Sequence, residues 1–297
     1  MPLAAGYTGP PQLTPGRLLT VWSVEPALLL GVLLAAAFYV VGVRRMRSRG
    51  DYWSAGRTAS FLGGGLGTVV LATMSGLAAY DDTLFSAHMV QHMLLTMVAP
   101  VFLALGAPVT LALRTAPAVP RQALLAVLHS RAAAVLAHPL VGWSLFVGTP
   151  FGLYFTGLYE VTLRSAALHA LLHLHFLLVG CLFFWPLLGL DPVPGRVAHG
   201  LRLLLVFTML PFHAFLGIAI MGASRVIAGD YYAALGRPWG ASPLIDQHTG
   251  GGILWAAGDL VGLLLLGSVA LQWMRAEERV ALREDRRLDR LERAASR

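Results

Sequence analysis

Ala166-Ala-Leu-His-Ala-Leu-Leu-His-Leu-His-Phe-Leu-Leu-Val-Gly-Cys-Leu-Phe-Phe-Trp-Pro-Leu-Leu188 decides the fold. The segment holds no Asp, Glu, Lys or Arg, and as a helix rising 1.5 Å per residue it crosses a hydrocarbon core of about 30 Å. Similar apolar runs lie on both sides of it. Together they predict seven spans: Pro26 to Val43, Thr58 to Ala79, Ser86 to Leu105, Pro139 to Tyr159, Ala166 to Leu188, Leu201 to Met221 and Gly250 to Met274. Pro100 and Pro108 interrupt the third near its inner end and predict a kink or a short re-entrant segment there. The stretch from Pro120 to Ala137 is also apolar, but Arg121, His129 and Arg131 mark it as an interfacial helix. Composition agrees: 57% of the 297 residues are apolar, 12% are charged and mean hydropathy is +0.68. A soluble domain carries about twice that share of charge, so a soluble enzyme is excluded. The expected fold is an all-α integral membrane protein, a seven-transmembrane-helix bundle.

The basic residues orient the bundle. All 22 are Arg, which excludes a lysine nucleophile or Schiff base. Arg44, Arg45, Arg47, Arg49 and Arg57 follow span 1, Arg114, Arg121 and Arg131 follow span 3, and Arg196 and Arg202 follow span 5. Eight more follow span 7, whereas only Arg17, Arg164, Arg225 and Arg237 fall on the other side. The positive-inside rule then puts the N-terminus out and the C-terminus in, as an odd number of spans requires. The formal charge of +7 is on this reading topological, with membrane lipid and not nucleic acid as the partner. Residues 1–25 read as an extracytoplasmic leader without the features of a cleavable signal peptide, 26–274 as the seven-span domain, and 275–297 as a charged cytoplasmic tail. Val280, Leu288 and Leu291 amid alternating charges make that tail a helix continuing span 7. No internal repeat points to a repeat-built transporter.

Cys181 stands alone, so neither a disulfide within the chain nor a paired-thiolate site is available, and His and Met remain as soft ligands. Histidine is costly in hydrocarbon, which makes its placement informative. His88 and His92 on span 3, His169, His173 and His175 on span 5, and His213 on span 6 all fall about 3 to 15 Å below the outer ends of their spans. His248 stands just before span 7. His88 and His92 are i,i+4, and His169 and His173 repeat the spacing, so each pair shares a face and can reach one ion. Met89, Met93 and Met97 run beside the first pair. Imidazole with thioether suits copper, while interhelical hydrogen bonding for His and gap filling for Met are the structural alternatives. Asp259 is the one carboxylate expected inside a span, at the depth of His175 and His213, either orienting an imidazole or bonding between helices. Asp246 and His248, beside Gly250, Gly251 and Gly252, form either a gate or an ordinary helix cap.

Five strings carry a family resemblance. They are His88-Met-Val-Gln-His-Met93, His169-Ala-Leu-Leu-His-Leu-His-Phe176, Phe184-Trp-Pro-Leu-Leu-Gly-Leu-Asp-Pro-Val-Pro-Gly-Arg196, Leu210-Pro-Phe-His-Ala-Phe-Leu-Gly-Ile-Ala-Ile-Met221 and Gly250-Gly-Gly-Ile-Leu-Trp-Ala-Ala-Gly-Asp-Leu260. In order, from about Val21 to Met274, the chain resembles the CtaG family of caa3-type cytochrome c oxidase assembly factors. The resemblance implies a multi-pass protein of a bacterial plasma membrane that helps copper, as Cu(I) or Cu(II), reach a haem–copper oxidase. Oxidase subunits are then partners, a soluble extracytoplasmic donor supplies the metal, and there is no catalytic turnover. The implied metal set is His88, His92, Met93, His169, His173 and His213; placement along the spans and connectors adds Met89, Met97, His175, Asp246, His248 and Asp259 as accessory residues.

Two rival readings stand beside it. His92 with His173 or His213 matches the facing pair that holds haem in membrane cytochromes, which would make the chain an electron-transfer protein. A metal-free scaffold for oxidase subunits is the other. A conduit through the bundle is disfavoured, because the inner halves of the spans are almost wholly apolar.

Overall fold

The computed structural model describes residues 7–192, 194 and 197–295. Arg196 and the first six residues of the expected leader lie outside the described residues. Every regular element among them is helical. The seven longest helices among the described residues are, in order, α1 (Pro26–Ser48), α2 (Ala55–Tyr80), α3 (Phe85–Thr115), α4 (Pro139–Tyr154), α5 (Ala166–Leu188), α6 (His199–Met221) and α7 (Pro243–Ala295). Six of them, all but α4, are long and apolar enough to cross a membrane. Leu171 and Leu178 of α5, Phe207 and Phe215 of α6, and Leu263 and Leu264 of α7 point their side chains outward, as contact with hydrocarbon requires.

The fourth expected span is shorter than its apolar run. α4 has 16 residues, about 24 Å of helix, and ends at Tyr154 rather than Tyr159. The Thr156 hydroxyl donates to Gly152 O and accepts from Leu158 N at 3.2 Å, which closes α4 and opens a separate short helix, Leu158–Leu163. α3 is interrupted where its prolines foretold. A π turn at Leu94–Val98 precedes Pro100, and left-handed Ala107 (φ 48°) precedes Pro108, which starts the last segment. The segment expected at the interface forms two helices, Ala118–Leu128 and Arg131–Leu136, neither with a buried residue. α7 begins at Pro243, before the expected Gly250, and runs without a break through the charged tail.

Close approach at glycine holds the bundle together. Gly180 of α5 lies against the carbonyl of Thr96 and the ring of Pro100 on α3, where a Cβ would collide. Pro100 has no N–H to offer that carbonyl, so the π turn and the proline together leave a backbone surface that only a glycine-bearing helix fits. Gly217 of α6 and Gly251 of α7 meet in the same way: a Cβ on either would stand only 2.8 Å from the other's carbonyl oxygen. Small residues that let backbones touch are a principal source of helix association in lipid.

Candidate metal centre

At one end of the bundle the turn from α2 to α3 brings Asp81 under the first turns of α5. Its carboxylate is buried, with Oδ2 3.1 Å from His169 Nε2 and 3.3 Å from His173 Nε2. Ser165 caps α5, and the i,i+4 spacing then puts His169 and His173 on the face toward Asp81, their ring centroids 4.5 Å apart. His88 comes from the first turn of α3. One ring nitrogen from each of His88, His169 and His173 lies within 4.8 Å of the other two.

The hydroxyl of Tyr154 helps to hold the His88 ring. His88 Nε2 stands 3.1 Å from the hydroxyl of Tyr154, at the end of α4, and that hydroxyl is 3.4 Å from His92 Nδ1. Tyr154 therefore sits between the members of the i,i+4 pair. Nδ1 of His88, Nδ1 of His169, Nε2 of His92 and Nε2 of His213 are buried with no hydrogen-bond partner among the described residues, and Nε2 of His173 meets Asp81 only at ion-pair distance. An orphaned buried polar atom costs about 1–3 kcal/mol. An imidazole with one nitrogen held by a carboxylate or hydroxyl and the other left bare is arranged as metal-binding histidines are.

Burial by itself would raise the Asp81 carboxyl, but hydrogen bonding and charge from His169 and His173 outweigh it and hold the group well below the usual carboxylate range. A cleft of about 400 Å³ leads to it from outside, bordered by Ser23 and Glu25 of the leader, Asp82, Arg164 and the two histidines. Arg164 is tied to Glu160, with Nε 3.1 Å from Oε1, so among the described residues Asp81 has only His169 and His173 as cationic partners, and Glu25 and Asp82 at the cleft form no ion pair.

The other expected site residues are not among the three converging histidines. His92 packs edge-on against Phe176 at 4.2 Å, outside the three-histidine group. His213 stacks on Phe146 of α4, centroids 5.3 Å apart, with Gly258 of α7 against its ring, and does not join the group either. Met93, Met89 and Met97 are buried in the apolar core, Met89 beside Gly250 of α7. His175 lies two residues beyond His173 and so on the opposite face of α5, where its Nε2 is 3.2 Å from Thr149 Oγ1. Asp246 accepts from Ser86 N at 3.4 Å and from its hydroxyl, which caps α3, and His248 Nε2 is 3.0 Å from Ala223 O. Asp259 Oδ1 is buried without a hydrogen-bond partner among the described residues.

Asp81 and Tyr154 were not foreseen from sequence. The signal for Asp81 was the Asp81-Asp82 pair in a short connector at the same membrane level as His88. Tyr154 had no signal beyond its position near the end of an aromatic-rich apolar run.

The chain is similar to known proteins over nearly its full length. It is 40% identical over 291 residues to an uncharacterised protein of Mycobacterium bovis and to one of Mycobacterium tuberculosis, and 39% identical to one of Mycobacterium leprae. Each alignment covers 96% of this chain and 44% of the relative, so the chain spans less than half the length of these proteins. No solved structure matches it significantly. The family model for the cytochrome c oxidase caa3 assembly factor, Caa3_CtaG, matches residues 37–276, a stretch that contains Asp81, His88, Tyr154, His169 and His173. By that match the chain belongs to the family of cytochrome c oxidase caa3 assembly factors.

Proposed function

We propose that this assembly factor binds copper as cargo at His88, His169 and His173, near the extracytoplasmic face, and aids its delivery to the oxidase. The observation that carries the reading is the convergence of three ring nitrogens within 4.8 Å beside a buried carboxylate. Asp81 orients His169 and His173 and offsets the charge of a bound cation; Tyr154 orients His88. Three imidazoles also suit zinc or nickel. Copper is favoured because the family serves a haem–copper oxidase. A ligand set of imidazoles without thiolate binds less tenaciously than a Cys site and suits a donor that must release its ion.

Haem is less well supported. Phe176 packs edge-on against His92, and Tyr154 and Tyr159 pack around His88, so both imidazoles are already in aromatic contact. The arginine distribution supports an N-terminus outside and a C-terminus inside the plasma membrane, with α4 as a short seventh span. In that orientation the acidic cleft opens outward, where a soluble copper donor can reach it, and the oxidase subunits meet the bundle within the membrane.

The test is made in cells. A strain lacking the gene is complemented with the parent or with His88→Ala/His169→Ala, and oxidase activity is measured with ordinary and excess copper. The double variant is expected to fail at ordinary copper and to be rescued by excess. Full activity at ordinary copper overturns the proposal, and failure without rescue favours a metal-free scaffold.

A further inference from the structure

The opposite end of the bundle holds a cavity of about 1060 Å³ between the C-terminus of α5, the N-terminus of α6 and the point where α7 passes from its apolar run into the charged tail. His199 and Arg202 of α6 and Arg275 and Arg279 of α7 line it. The last two are i,i+4 and leave α7 on one face. Neither makes an ion pair among the described residues, since the ion pairs there involve Arg114, Arg164, Arg287, His169 and His173. Arg202 is fixed: its Nε donates to Val197 O at 2.9 Å and its guanidinium lies over Gly189, the left-handed cap of α5.

Asp191 is the one carboxylate on the wall, and it is already engaged. Val109 N, Thr110 N, the Thr110 hydroxyl and Trp185 Nε1 donate to it at 3.2, 2.7, 2.6 and 3.0 Å. It therefore caps the last segment of α3 and leaves the arginines uncompensated. The first turn of α6 adds N–H groups that no side chain caps.

We propose that this cavity binds the phosphate headgroup of an anionic phospholipid. Guanidinium groups recognise phosphate by paired hydrogen bonds as well as charge, and basic pockets between helices at the membrane surface are suited to such headgroups. A lipid is favoured over free phosphate by position. Arg275 directly follows the apolar run of α7, Arg202 lies in the first turn of α6, and exposed Leu201, Leu204 and Leu271 continue from the cavity along the hydrocarbon-facing surface. Acyl chains can lie on those leucines while the headgroup meets the arginines.

The full chain in neutral detergent, as parent and as Arg275→Gln/Arg279→Gln, is titrated with phosphatidylglycerol, phosphatidylcholine or inorganic phosphate. Bound lipid is counted by native mass spectrometry and the thermal midpoint is followed. Both arginines are exposed, so the variant is expected to fold. The parent is expected to retain phosphatidylglycerol, to be stabilised by it and not by phosphatidylcholine, and to bind it at least about ten-fold more tightly than the variant. Arg202→Gln is expected to weaken binding in the same way. Equal binding by parent and variants, or an equal response to phosphatidylcholine, overturns the site. Stabilisation by inorganic phosphate with no lipid preference overturns the lipid assignment.

Discussion

Asp81 joins two histidines to the turn between α2 and α3, and its effect depends on pH in a definite direction. Folding holds the carboxyl below its ordinary range, so its stabilisation is complete above the unfolded value of about 4 and is lost as pH falls through the lower folded value. Asp81→Asn is therefore expected to lower the thermal midpoint at neutral pH, with the gap to the parent narrowing below about pH 4. A gap that stays constant into acid contradicts the pairing. Tyr154→Phe removes the hydroxyl shared by His88 and His92. It is expected to cost about 1–3 kcal/mol of stability and to weaken copper binding about 10–100-fold without abolishing it, as loss of an orienting partner does; unchanged affinity in a metal titration contradicts the positioning role. Helical spacing alone placed His169 and His173 on one face. It could not place Asp81 or Tyr154, because both reach the site through tertiary packing of helix ends. It likewise could not show that a hydroxyl separates His88 from His92, or that His213 stacks on Phe146 a layer away.

The helices were legible where apolar length and proline decide, and less so where local hydrogen bonding does. Pro100 and Pro108 marked the breaks in α3, whereas the early end of α4 depends on the Thr156 hydroxyl, which hydropathy does not register. The π turns at Ser60–Leu66 and Leu94–Val98 have no periodic signature. Their consequence is testable through Gly180, whose backbone meets Thr96 O and Pro100 beside the second turn. A larger side chain there must push α5 from α3 and separate His169 from His88. Gly180→Val is expected to lose about 1–3 kcal/mol or more and most of its copper, read by thermal unfolding and metal analysis. Parental stability and copper content contradict the close approach of these helices.

Across the whole molecule the two ends have opposite chemistry. The leader folds over the histidine end: Tyr80 donates to Pro11 O at 2.7 Å and Ser23 N to Met74 O at 2.9 Å. Its Glu25 borders the cleft. Arginines gather at the other end, around the basic cavity and along the tail. Reporter fusions test the orientation: alkaline phosphatase is expected to be active when joined to the leader and inactive when joined after Ala295, and the reverse result contradicts the cleft's outward opening. Copper per protein chain after purification from copper-replete cells decides whether the three imidazoles form a metal site. The parent is expected to hold about one ion, the variants His88→Ala, His169→Ala and His173→Ala little or none, and the folded variants His92→Ala and His213→Ala close to the parental amount. Equal copper in all six proteins, or loss in His213→Ala alone, would contradict a centre built from His88, His169 and His173.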